Sequence, residues 1–235
     1  MIKQILYFFR NLAYSELFKA IRENTKGDIL DIGGGEFYRN FLKIKITFNT
    51  YTIVDKREIS ILEDKRERVY FKKGDVEKLD FDNDSFDTIF CIHLLEHTLN
   101  PEAVISEMYR VLKRGGKAII LIPQTSVAHD IPEHYYNFTR YYIKEVLNKN
   151  GFKIEKIIML GGAFFTIASH LFHLPLYIFN HHLYRDKEIK RTLLYYSLLP
   201  IKILLLPILF VIAILLSIGD IKEMANNILV VGRKE

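Results

Sequence analysis

Short apolar runs set the plan of the first two thirds of the chain. Asp28–Ile32, Thr50–Val54, Tyr70–Lys73, Thr88–Cys91, Lys117–Ile122 and Lys153–Leu160 are brief, and most are nearly continuous in apolar residues. That is the pattern of strands buried on both faces. Stretches with helical spacing separate most of them. In one, Asn100 caps a helix that starts at Pro101, with Val104, Met108, Val111 and Leu112 as its apolar face and Gly115-Gly116 as its stop. In another, Thr139–Asn150 reads as a helix closed by Gly151. Alternating strands and helices predict an α/β fold with a parallel sheet covered on both sides. Upstream, Ile2, Ile5, Leu6, Phe9, Leu12, Ala13, Leu17, Ala20 and Ile21 recur at helical spacing. They predict an amphipathic helix within residues 1–26, packed over the ligand cleft; the alternative is a helix lying on a membrane surface.

The ends of the first two strands carry the most informative chemistry. Asp31 and the turn Gly33, Gly34 and Gly35 close the first, and Asp55 closes the second about 20 residues on. Glycines let a ligand lie against the backbone, and a carboxylate at the next strand tip can accept both hydroxyls of a ribose. A dinucleotide fingerprint wants a third glycine where this chain has Tyr38. The loop also carries Asp31 and Glu36 and no basic residue before Arg39, a poor lining for a diphosphate. Acidic lining suits a cation, and S-adenosyl-L-methionine carries a sulfonium and an amino group. The residues favour the methyl donor over NAD.

Further motifs carry a family resemblance. Gly74-Asp-Val-Glu77, Phe81–Cys91, Leu95-Glu-His97 and Val111–Ala118, in order and in spacing with the glycine turn, resemble the class I S-adenosylmethionine-dependent methyltransferases. The nearest group is the small-molecule type that includes ubiquinone and cell-surface-sugar methyltransferases. The likeness covers about residues 27–160, the expected core, and returns at 227–235. It implies a Rossmann-like sheet of seven mostly parallel strands with helices on both faces and an antiparallel last strand. It further implies that Asp31 and the three glycines face the methionine part of the cofactor and Asp55 the ribose. Asp75 and Val76 would take the adenine, with Ile92 and His93 as cleft wall. Many relatives have a further glycine at Phe37. Asp75 has an alternative role as a turn cap.

If the family's last strand is Ile228–Gly232, residues 161–226 are an insertion. It holds two apolar runs, Ala163–Phe179 and Leu198–Ile218, around the basic segment Arg185–Arg191. The longer run, with about 21 residues, can span a hydrocarbon core of ~30 Å. Both ends must meet the carboxyl edge of the sheet, where such folds bind ligands. A single crossing would strand the last β-strand across the bilayer. Pro207, Lys202 and the basic segment suit a flat or shallow membrane dock through 163–218. The alternative is a buried substrate cap or a dimer interface.

Composition narrows the rest. A net charge of +5 without a long Lys/Arg block argues against nucleic acid, and one cysteine, Cys91, fits a reducing compartment and a small buried core position. Met1–Ala20 lacks the unbroken apolar stretch of a signal peptide. For catalysis, His129 and His134 stand in a loop after the fifth strand, and either can serve as the base; the bland role for that loop is capping the next helix. Glu96 and His97 are expected to support their loop. In ubiquinone-type relatives an acid at the position of His93 binds a metal with the following Glu-His pair, so no metal is expected. The activity implied is methyl transfer to a small-molecule, lipid-linked or cell-surface glycan acceptor at the cytoplasmic side of a membrane. A quinone-type O-methyltransferase and a non-catalytic, membrane-docked cofactor binder are the competing functions.

Overall fold

A computed structural model describes residues 14–35, 38–42, 44, 46–58, 68–179 and 191–235. The expected helix positions before Tyr14, Glu36 and Phe37 of the glycine loop, and Arg185, Lys187 and Lys190 lie outside the described residues.

Seven strands form one sheet: β1 (Asp28–Ile32), β2 (Thr50–Asp55), β3 (Val69–Lys73), β4 (Phe86–Ile92), β5 (Leu112–Pro123), β6 (Phe152–Leu160) and β7 (Asn227–Lys234). Their order is β3-β2-β1-β4-β5-β7-β6, and β7 runs antiparallel between β5 and β6. Every strand anticipated from an apolar run is present. Alternate residues of the strands feed two cores. On one face Leu30, Ile32, Ile89, Cys91 and Ile120 pack against α3 (Pro101–Val111) and α4 (Arg140–Lys149). On the other, Ile29, Tyr51, Ile53, Phe90 and Leu121 pack under α1 (residues 14–24) and α2 (Tyr38–Leu42). Leu17, Ala20 and Ile21 are the buried stripe of α1, and fully burying a side chain of the size of Leu17 or Ile21 is worth about 1.5–3 kcal/mol.

Local signals behave as their chemistry requires. Asn100 accepts the Ala103 N–H at 3.2 Å, Pro101 opens α3, and Thr139 caps α4 through the Tyr142 N–H at 3.2 Å. The stop of α3 needs correction. The helix ends at Val111, and Leu112 already belongs to β5. Phe86 pairs with Leu112 but Thr88 with Lys117, so β5 arches out between these pairs. Gly115 sits inside that arch at φ +75°, and a side chain on Gly116 would press on the carbonyls of Lys113 and Asp87. Leu112 keeps its apolar role because β4 buries it as fully as a helix face would.

The insertion is a helical hairpin. α5 (Ala163–Ile178) and α7 (Leu199–Leu216) pack on each other, joined in part by α6 (Leu193–Ser197), with the Phe172 and Phe210 rings 6.3 Å apart. Asp220 staples the root, accepting the N–H groups of Phe164 at 3.0 Å and Phe165 at 2.8 Å. These bonds hold the Asp220 carboxyl below its usual range despite the cost of its burial. Both ends of the hairpin meet the sheet at its carboxyl edge, where Leu160 pairs with Asn227. At the far end the Tyr177 hydroxyl donates to the carbonyl of Ala128, in the loop after β5. The hairpin therefore lies across the carboxyl edge and does not stand out from it. Of α7's residues only Ala213 is buried, and the helix runs unbroken through Pro207. Its 18 residues extend about 27 Å at 1.5 Å each.

Candidate active site

The carboxyl ends of β1, β2 and β4 meet around the glycine turn. The Gly33 N–H donates to Val54 at 2.7 Å, tying the turn to β2. Gly33 and Gly35 adopt φ +68° and +47°, and among the described residues nothing lies within 4 Å of where a Gly35 side chain would start. A Cβ on Gly34, in contrast, would come 2.2 Å from the Asp31 carboxylate. The turn is packed on Asp31 from one side and open on the other.

Asp31 is fully buried. Its Oδ2 accepts the Tyr51 hydroxyl at 2.7 Å, while Oδ1 has no hydrogen-bond partner among the described residues. Burial pushes its pKa up to about 7; the Tyr51 hydrogen bond pulls the other way and the charge of Asp55 adds to the rise. A buried acid with an unanswered oxygen fits a ligand that brings positive charge. Asp55, at the tip of β2, is buried as well; its Oδ1 takes the Arg57 N–H at 2.8 Å. Asp75 is exposed and its Oδ1 caps the following turn through the Glu77 N–H at 2.9 Å, the alternative role foreseen for it. Val76 packs against the core beside it, leaving an apolar surface at the rim.

Ile92 ends β4, and His93 follows at φ +52°. The His93 ring is 3.3 Å from the Tyr14 hydroxyl through Nε2 and 3.1 Å from Glu96 through Nδ1. Through Tyr14, α1 reaches the residue that follows β4. Glu96 is fully buried; burial raises its pKa, but the hydrogen bond and charge of His93 outweigh that and hold the carboxyl low. Glu96 thus shapes its loop, and its carbonyl also accepts the Tyr135 N–H at 2.8 Å.

That contact folds the histidine loop back over the edge. Lys56, just past β2, binds Glu133 of the same loop at 2.6 Å. The rings of His97, His129 and His134 gather with centroids 5.1, 5.6 and 4.5 Å apart. Backbone partners fix their tautomers. A carbonyl only accepts, so Nδ1 of His97 donates to Glu133 at 2.7 Å, and Nδ1 of His129 donates to Val127 at 2.9 Å. Nε2 is then the basic nitrogen in both. His134 is the reverse. Its Nδ1 accepts the His129 N–H at 3.2 Å and its Nε2 donates to Tyr136 at 3.1 Å, so both nitrogens are committed to the loop. Burial and the neighbouring histidines pull the pKa of His134 down.

Among the described residues, Glu96, His97 and His129 offer ligand-type atoms within 4.8 Å of one another. His97 joins this cluster, and Tyr51 and Tyr14 partner Asp31 and His93, without a local pattern in the sequence that assigns them these places. Tyr51 had a signal: a hydroxyl-bearing residue facing Ile29 in the adjoining register, on the face that also carries Asp31.

A methyltransferase domain family matches residues 30–120. An uncharacterized protein of Methanocaldococcus jannaschii is 33% identical over 152 residues, 59% of this chain and 71% of that protein. A sterol 24-C-methyltransferase of Pneumocystis carinii is 31% identical over 115 residues, 46% of this chain but 30% of the sterol enzyme. Among solved structures, the Burkholderia thailandensis 1,6-didemethyltoxoflavin-N1-methyltransferase, with bound 1,6-didemethyltoxoflavin and S-adenosylhomocysteine, superposes with a TM-score of 0.56. That likeness, at 15% identity over 96% of this chain and 77% of the other, is one of fold.

Proposed function

We propose, from the premise that this chain belongs to the class I S-adenosylmethionine-dependent methyltransferases, that it methylates a lipid-linked or cell-surface glycan acceptor at the cytoplasmic face of a membrane. When bound, S-adenosylmethionine supplies a methyl group that passes in line from its sulfonium to an acceptor lone pair, leaving neutral S-adenosylhomocysteine.

The residues divide the work. Gly33, Gly34 and Gly35 give the methionine part a path along the backbone, and the unanswered oxygen of Asp31 receives its positive charge. The ribose hydroxyls go to the oxygen of Asp55 that Arg57 does not hold. Val76 and Ile92 present apolar surface to the adenine and the cleft wall. His129 takes the acceptor's proton on Nε2, and His134 holds that ring's backbone in place. A positioned base of this type contributes typically 10²–10⁴-fold.

The acceptor class rests on one observation: α7 exposes nearly all of an apolar surface beside the catalytic edge. A helix apolar on every side belongs in a core or in lipid. Because the hairpin lies across the edge, α7 would sit shallowly in one leaflet with the cleft facing the headgroups. Lys202 and Arg191 each stack on Tyr195, within 4.6 and 4.8 Å, an arrangement suited to the headgroup boundary. The sterol enzyme's name points the same way. The test is label transfer from methyl-labelled cofactor to a membrane lipid extract. The expected product is an extractable species heavier by one CH2 unit; label found only in water-soluble products overturns the lipid acceptor.

A further inference from the structure

The polar side chains of α5 are ordered along the helix. Thr166, Ser169, His170, His173 and Tyr177 recur at steps of three or four and so share one face of an otherwise apolar helix. That face is turned to the carboxyl edge of the sheet. Thr166 Oγ1 donates to Met224 at 3.0 Å, Asn226 reaches Ser169 at 3.5 Å, and the Tyr177 hydroxyl donates to Ala128, the residue before His129. His173 stands one turn before Tyr177 on the same face and therefore lies over the histidine loop. Its Nδ1 donates to the Ser169 carbonyl at 2.7 Å, which makes Nε2 the basic nitrogen. Burial lowers its pKa, and the charges of His129 and His170 lower it further against the pull of the Ser169 carbonyl. The hairpin is thus two layers, a polar stripe on α5 facing the cleft and an apolar α7 facing out.

We propose that α5 is the roof of the acceptor site, and that the polar head of an amphiphilic acceptor binds between its stripe and the loop from His129 to His134, with His173 in contact with it. The tail then leaves along α7. The assignment of an amphiphile rests on the lipid-acceptor reading; the roof itself does not. The fastening is unequal. The root is held by the Asp220 carboxylate on two N–H groups of α5, whereas the distal end is held to the loop by the Tyr177 hydroxyl. An acceptor would enter by parting the distal end while the root stays closed.

The experiment uses the full chain with Cys91→Ala, Ala128→Cys and Tyr177→Cys, a short bis-maleimide, methyl-labelled cofactor and the lipid extract in mixed micelles. The crosslink is expected to form in high yield, to leave S-adenosylhomocysteine binding intact and to lower label transfer at least about tenfold. Separately, His173→Gln should raise KM for the extract by about tenfold or more with cofactor affinity unchanged. Two cysteines that each react but never crosslink would overturn the roof, as would a crosslinked enzyme at full rate. An unchanged KM in His173→Gln removes that residue from the site. If the enzyme before crosslinking labels only water-soluble material, the amphiphile is overturned, and the crosslink yield still decides the roof.

Discussion

The ionisation of Asp31 gives a prediction that can be worked through to a number. The perturbation is Asp31→Asn, which keeps size and shape and removes the charge. In the unfolded chain this carboxyl loses its proton near 3.8, and in the folded protein burial delays that loss to about 7. Between these values the folded state holds a proton that the unfolded state has released. Raising the pH through that window therefore costs stability, at about 1.4 kcal/mol per pH unit. Below it both states are protonated, and above it both are ionised, so the cost levels off at roughly 4 kcal/mol. The amide variant has no such slope. In cofactor-free protein, its stability relative to wild type should improve by roughly 4 kcal/mol between pH 4 and pH 8, or about 8–16 °C in melting temperature for a chain of this size. Taking the difference cancels the opposite contributions of Asp87 and Glu107, whose pKa values are lowered. Cofactor affinity should move the other way. A cation beside the carboxylate favours its ionised form, so wild-type binding at pH 6 releases a proton and tightens towards pH 8, and the variant binds more weakly without that dependence. Denaturant melts across pH and calorimetry in buffers of different ionisation enthalpy are the assays. Parallel stability curves for the two proteins would refute the buried, proton-holding Asp31.

Other expectations follow from the same geometry. Asp55→Ala should weaken cofactor binding by about 1.5–3 kcal/mol, the scale of a lost charge-assisted hydrogen bond, as read by titration calorimetry. Gly34→Ala forces a methyl onto the Asp31 carboxylate and should cost about 1–3 kcal/mol in stability, with weaker cofactor binding measured in parallel. His129→Ala should cut turnover about 10²–10⁴-fold at unchanged cofactor affinity. His134→Ala should act chiefly through lost loop hydrogen bonds, about 0.5–1.5 kcal/mol each, visible as a lower melting temperature. For the proposed membrane dock, Leu204→Glu with Ile208→Lys on α7 should shift the protein from the vesicle fraction to the aqueous fraction in flotation and leave cofactor binding intact.

The sheet was legible in the sequence because most of its strands are local, nearly continuous apolar runs, and neither neighbour in the sheet changes what such a run must do. The same holds for Asn100, Thr139 and the glycine turn, whose jobs are set within a few residues. What escaped depends on distant partners. The raised pKa of Asp31 comes from burial that α1, α2 and Tyr51 create together. The different duties of His129 and His134 come from which carbonyls their rings meet. Leu112 is apolar in a helix or a strand, and only the pairing with Phe86 decides between them. The face of α5 was visible in principle, since its polar residues keep helical spacing, but the prevailing apolar character of Ala163–Phe179 masks it.

The place of β7 also governs how the protein comes into being. This strand lies between β5 and β6, yet it is the last of the seven to be synthesised. Until it emerges, β5 and β6 each present an unpaired edge to the same gap, and the two halves of the sheet have no backbone connection through it. The hairpin of α5 and α7 leaves the ribosome during that interval. Its apolar surface is thus exposed while the sheet is still open, and pairing across so long a stretch of chain is slow. A membrane that captures the hairpin early would hold β6 and β7 at one place and shorten the search for the final register. On the membrane dock proposed above, targeting and folding would be one event.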